Sequence, residues 1–395
     1  MSAMKLTGYA DQFGVNPGKK IKFYVNCDGP SEYKVEIMHM VNGDTNPRGP
    51  GLLENLVNAD CNSTYKGRKQ VIHSGSYGFV NDNKHLQLES FTLQCWIWPT
   101  TPKTHPKYWR HGAQGLMTKW SDNKGYGLFI NEDGFVELRI NGEKISTGAP
   151  IRDHAWHFVA ATYDAETGEA KLYHEPQIQY ALDPDIPSVS KKISNGINHT
   201  ASVPFCVASY TKAIDSSPLA QSSVPAGIIM AGHFNGKLDN PRLCDRALNR
   251  QEIETMKLGA QPGLTERRHS GPTGPLSNCI VGSWDFSSGI NTIIGHDKGP
   301  YLYDLQIVNC PTRAMTGHNF SGQNFDWKHA PTEYGAIHFH DDDVDDARWG
   351  VDFEWSVPEG QNSAFYAAKL TTSDGDEDYI PFWVVPEIGK ETAKI

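Results

Sequence analysis

The stretch of this 395-residue chain richest in groups able to do chemistry is HFHDDDVDDARW, residues 338 to 349. His338 and His340 are followed closely by Asp341, Asp342, Asp343, Asp345 and Asp346. On an extended strand, residues two apart share a face, so the two imidazoles fall on one side. With Asp342 they would make a two-histidine, one-carboxylate set of the kind that holds iron; the carboxylates alone would suit calcium. The competing reading is a strand ending in an acidic turn whose aspartates cap backbone N–H groups. The cluster lacks the fixed spacing of a metal motif, so the turn is the stronger reading. Beside Arg348 and Trp349, such an acidic loop also suits contact with a basic partner surface.

A second histidine pair, His154 and His157, flanks Trp156 in RDHAWHF. Spacing of this kind joins two ligands only on a helix, and the surrounding alternation reads as strand, so packing is expected instead. The sequence contains no G-x-S-x-G elbow, Walker loop or H-E-x-x-H pair. No catalytic or cofactor-binding residue is therefore assigned, and the chain by itself reads as non-catalytic.

These groups must be carried by a scaffold, and the composition bounds it. The length suggests two or three domains. A net charge of −10 speaks against a nucleic-acid-coating surface and against attraction to anionic membranes. No apolar run is long enough to cross a bilayer, and the N-terminus lacks the continuous apolar core of a secretory signal. The seven cysteines are scattered and never form a C-x-x-C pair, which fits buried thiols in a reducing cytoplasm better than a disulfide framework. The sequons at Asn62 and Asn198 are then chance matches.

Short alternating segments separated by turn residues predict a mainly β protein. Ile21, Phe23 and Val25, then Tyr33, Val35 and Ile37, define two strands around the turn CDGPS. Phe91, Leu93, Cys95 and Ile97 share one face of another strand, and Val136, Leu138 and Ile140 do the same between the turns NEDG and NG. One helix is expected after FNGKLDNPRL, with Asn249 as its N-cap, Glu252 completing a capping box, and Gly259 as its stop. Four more strands are expected within 330 to 395. The expected organisation is 1–70 as β-sandwich strands pairing with 331–388, 71–330 as a jelly roll inserted between them, and 331–395 as sandwich strands and a C-terminal tail.

Two resemblances sharpen this. SFTLQCWIWP, YGLFINEDGFVELRING, WHFVAATYDAETGEAKLY and FNGKLDNPRLCDRALNRQEI together resemble a laminin-G/concanavalin-A-like jelly roll. GYADQFGVNPGKKIKFYV, CIVGSWDFSSGI, VNCPTRAMTGHNFSG, AIHFHDDDVDDARW and SAFYAAKLTTSDGDEDYIPFWVVP resemble the N-terminal half of the large subunit of the N,N-dimethylformamidase family. The resemblance covers nearly the whole chain and is weakest from about 175 to 230. It implies a concanavalin-A-like sandwich plus an immunoglobulin-like one, with Trp156 packed between the sheets of the jelly roll. It also implies hydrolysis of dimethylformamide to dimethylamine and formate by a mononuclear iron held by two tyrosines and a glutamate. That iron domain follows the strand like DYIPFWVVP in the family, so none of its ligands maps onto a position here. Either the sequence is a fragment of a longer large subunit or that subunit is naturally split, the split being favoured; in both cases this chain is the scaffold beside a catalytic C-terminal half and a small helical subunit.

Some members of the jelly-roll fold bind calcium or sugar near turns such as those carrying Asp164 and Asp239, although the full ligand set is not evident here. The alternative function is accordingly a carbohydrate-binding module, with Trp98, Tyr108, Trp109 and Trp120 available for stacking.

Overall fold

The computed structural model describes residues 5–44, 46–103, 112–181, 186, 188–194, 196–257 and 276–391. The chain is mainly β and divides into two compact units, one from residues 73–346 and one from 1–72 with 347–395. The larger unit is thus inserted in sequence between the two parts of the smaller.

The smaller unit pairs the beginning of the chain with its end. A three-stranded sheet sets Lys20–Cys27 between Leu6–Ala10 and Phe353–Ser356. A second sheet sets Ala364–Thr372 between Glu32–Gly43 and Glu377–Val384. Ile21, Phe23, Val25, Tyr33, Val35 and Ile37, the alternating set read from the sequence, are all buried in one core with Trp355, Tyr366 and Phe382. Asp352 ties the two parts together: its carboxylate accepts from Arg68 Nε at 2.7 Å, the Val25 amide at 2.7 Å and Gln70 Nε2 at 3.0 Å.

Among the described residues, the larger unit contains a sheet of sixteen strands and a separate antiparallel pair, Tyr210–Ile214 with Ile228–Ala231. Its core takes Leu93, Cys95 and Ile97 from one side and Leu128, Val136, Leu138 and Ile140 from the other. The NG turn is formed as expected: Asn141 (φ 47°) and Gly142 (φ 85°) take the left-handed conformation that a two-residue hairpin requires. The helix spans Arg250–Lys257, and its capping box is closed by Glu252 N–H to Asn249 Oδ1 at 3.0 Å and Asn249 N–H to Glu252 Oε2 at 2.9 Å. The expected stop, Gly259, lies outside the described residues.

Two expectations change. The strand Ala336–Phe339 does not join the terminal sandwich strands. It pairs with Gly236–Cys244 and Thr312–Met315 in the larger unit, because Ile337 and Phe339 alternate into the jelly-roll core beside Leu238. Trp156 is not the tryptophan between the sheets. It packs with Trp96 and Phe158 in a separate cluster, and Trp284 occupies the jelly-roll core, stacked on Phe205.

Candidate functional site

Three neighbouring strands carry matching triplets, each with an apolar middle residue. Trp96-Ile97-Trp98, Asp239-Leu238-Lys237 and Ala336-Ile337-His338 stand side by side in antiparallel register. Ile97, Leu238 and Ile337 face the core. The alternation of a strand then sends the flanking residues to the opposite face. That face carries two tryptophans, a lysine, an aspartate and a histidine.

Its first group centres on Asp239, which is buried. The Asp239 carboxylate accepts from the His318 ring Nδ1 at 2.7 Å and from the His318 amide at 3.2 Å. His318 stacks on Trp96, with centroids 4.5 Å apart and planes at 11°, and Trp156 meets its edge. The approach depends on Gly317, where a Cβ would stand 2.7 Å from Asp239 Oδ2. A carboxylate on Nδ1 fixes the tautomer and leaves Nε2 as the basic nitrogen. Asp239 therefore orients an imidazole rather than lying in a calcium turn.

The second group lies one pleat along. Lys237 Nζ sits 4.7 Å from the centroid of Trp98 and donates to Thr316 Oγ1 at 3.0 Å. Burial pulls its pKa below the ordinary lysine value. His338 meets Trp98 edge-on, and His154 meets the same ring at 5.0 Å. His338 is pushed down to about 4, first by burial and then by His340, Lys237 and His154; it is neutral at pH 7.

The sequence-predicted metal trio has a different geometry. His338 and His340 do share a side, but their rings lie against each other with centroids 4.1 Å apart. His340 Nδ1 approaches Asp343 at 3.4 Å, and Asp342 is exposed. The acidic run acts as a turn. Asp343 accepts from Ser76 Oγ at 2.6 Å, its carbonyl accepts from Gly75 N–H at 2.9 Å, and Asp341 exchanges two hydrogen bonds with Asn235. Among the described residues, no three His, Cys, Asp or Glu side chains are grouped to hold one ion.

The other candidates have structural partners. His157 is buried, with Nε2 2.9 Å from Arg152 O and Nδ1 3.0 Å from His174 Nε2. Asp164 caps its turn through the Thr167 and Glu166 amides, which hold it below the usual carboxylate range. Of the sugar-stacking aromatics, Trp120 is buried, Trp98 is engaged by Lys237 and two histidines, and Tyr108 and Trp109 lie outside the described residues. Six cysteines are buried as expected, while Cys310 is exposed. Asn62, one of the two sequons, spends its side-chain amide on Val57 O and Ile37 N–H.

Sequence reading missed the pairing of Asp239 with His318 and the role of Lys237. The signal was present as three triplets with a core-facing apolar middle residue, but only strand pairing places them in register.

The fold of the larger unit is concanavalin A-like: residues 73–175 match the family described as the concanavalin A-like lectin/glucanases superfamily. Residues 312–395 match a second family, described as N,N-dimethylformamidase beta subunit-like, C-terminal. The whole chain is similar to the N,N-dimethylformamidase beta subunits of Paracoccus aminophilus, at 33% identity, and of an Alcaligenes species, at 31%. It spans about half the length of these relatives, 51% of each. Among solved structures, the Ruminococcus gnavus IT-sialidase CBM40 aligns with 48% of this chain and 96% of its own at 16% identity, with a TM-score of 0.32. Among the described residues, no helix is long and apolar enough to cross a membrane.

Proposed function

We propose that this chain is the β-sheet scaffold of an N,N-dimethylformamidase-type amidohydrolase, working beside a catalytic part that corresponds to the rest of its relatives. The observation that carries this reading is the similarity to dimethylformamidase beta subunits over the full length of the chain. The overlaid rings of His338 and His340 do not form the two-histidine, one-carboxylate set that the sequence suggested. In this proposal the iron that the family resemblance implies lies in the part of the relatives that this chain does not span, where it would polarise the amide carbonyl or activate a bound water. In this proposal the present chain supplies rigid sheets and assembly surface, and a small helical subunit completes the complex.

The test is dimethylamine release from dimethylformamide. The purified chain is assayed alone and after co-expression with a polypeptide supplying the relatives' remaining half. Activity only in the co-expressed sample is the expected result. Activity in the chain alone would place catalysis within it and overturn the scaffold role. Inactivity of both samples, with the two polypeptides shown to associate, would overturn the amidase reading.

A further inference from the structure

We propose that the outer face of the jelly-roll sheet binds a small monocarboxylate anion, held between Lys237 Nζ and Thr316 Oγ1 against the Trp98 ring. This inference stands apart from the amidohydrolase reading. Lys237 is half-buried on strand Gly236–Cys244, where it meets Thr316 and the indole of Trp98. Among the described residues it has no carboxylate partner. The nearby acids are committed elsewhere: Asp239 to His318, Asp343 to Ser76, and Asp341 to Asn235. A half-buried ammonium with no counter-charge creates a local demand for an anion.

The arrangement also selects the shape of that anion. Lys237 gives one N–H to Thr316 Oγ1 and keeps two. Thr316 Oγ1, already accepting, must turn its own O–H outward, and none of the described groups takes it. An ammonium N–H and a hydroxyl O–H with heavy atoms 3.0 Å apart make a two-donor fork, which suits the two oxygens of a carboxylate. The flat Trp98 ring lies beside the fork, with His154 and His338 at its edges.

Formate and acetate are titrated separately into the intact chain at constant ionic strength, with chloride and inorganic phosphate as comparison anions. Binding is followed by tryptophan fluorescence, with Trp98→Phe showing which signal arises at this ring, and by the NMR shift of the Lys237 side chain. Saturable binding of the carboxylates is expected, weaker by about tenfold or more in Lys237→Met and in Thr316→Val. Thermal melting of each variant shows whether it is folded, and Lys237→Arg is expected to retain part of the binding. Equal responses to chloride and formate, no saturation with either carboxylate, or unchanged binding in folded Lys237→Met and Thr316→Val would each overturn the site.

Discussion

A protonated His174 would have no acceptor for its second N–H. His157 places Nε2 against Arg152 O, so its Nδ1 is the lone pair that accepts from His174 Nε2–H. The remaining His174 Nδ1 is buried without a partner. Burial, helped by His157, pushes His174 down to about 3 from an ordinary 6.5. Below pH 6.5 the unfolded chain takes up this proton and the folded chain does not. The stabilising effect is complete above that pH and is lost progressively as pH falls toward 3. His338, pushed down to about 4, contributes with the same sign. Denaturant unfolding between pH 7 and pH 4 should therefore show declining stability, with a shallower slope in His174→Gln. Identical slopes in the two proteins would refute this account. At this scale the sequence was partly legible. That His338 and His340 share a side could be read from alternation, and that Asp343 is a turn residue could be read from composition. The Asp239–His318 contact could not, because it joins residues 79 positions apart and brings the Asp239 carboxylate close against Gly317.

Elements were more legible than contacts. The alternating sets Phe91, Leu93, Cys95, Ile97 and Val136, Leu138, Ile140 are core residues, because burial on one face imposes a period of two that survives any choice of strand partner. Trp156 was misplaced because a bulky apolar residue fits either face of a covered sheet, and its side is set by what lies on top. The single described α-helix could be located from its cap alone. Asn249 and Glu252 satisfy each other's amides, and Glu252 also meets Arg246 at 2.8 Å. The buried residues of the helix, Ile253 and Met256, join the cluster of Trp96 and Phe158, which forms part of the aromatic setting of His318. Asn249→Ala should cost about 1 kcal/mol of unfolding free energy, measured by denaturant titration. Asn249→Asp, which keeps a capping oxygen, should lose much less. Equal losses in the two variants would show that the cap is not what holds the helix start.

At the scale of the molecule, the two units differ in how the chain builds them. Residues 73–346 are continuous and contain their own core, from Leu93 and Ile97 to Ile337 and Phe339. The other unit needs both parts of the chain: Lys20–Cys27 pairs with Phe353–Ser356, and Glu32–Gly43 pairs with Ala364–Thr372. Its core residues Ile21, Phe23 and Val25 are covered by Trp355, Tyr366 and Phe382, which arrive more than three hundred positions later in sequence. A continuous unit with its own core can fold alone, whereas a sandwich deprived of three of its strands exposes an apolar face and unpaired edges. A fragment of residues 73–346 should therefore give a soluble β protein with a single cooperative thermal transition. A chain truncated after residue 346 should keep that transition while residues 1–72 become sensitive to protease. If the 73–346 fragment is instead unfolded or melts without cooperativity, the jelly roll requires the terminal unit. Protease resistance of residues 1–72 in the truncated chain would show that these strands hold their core without the C-terminal ones, contrary to the pairing that Asp352 fastens.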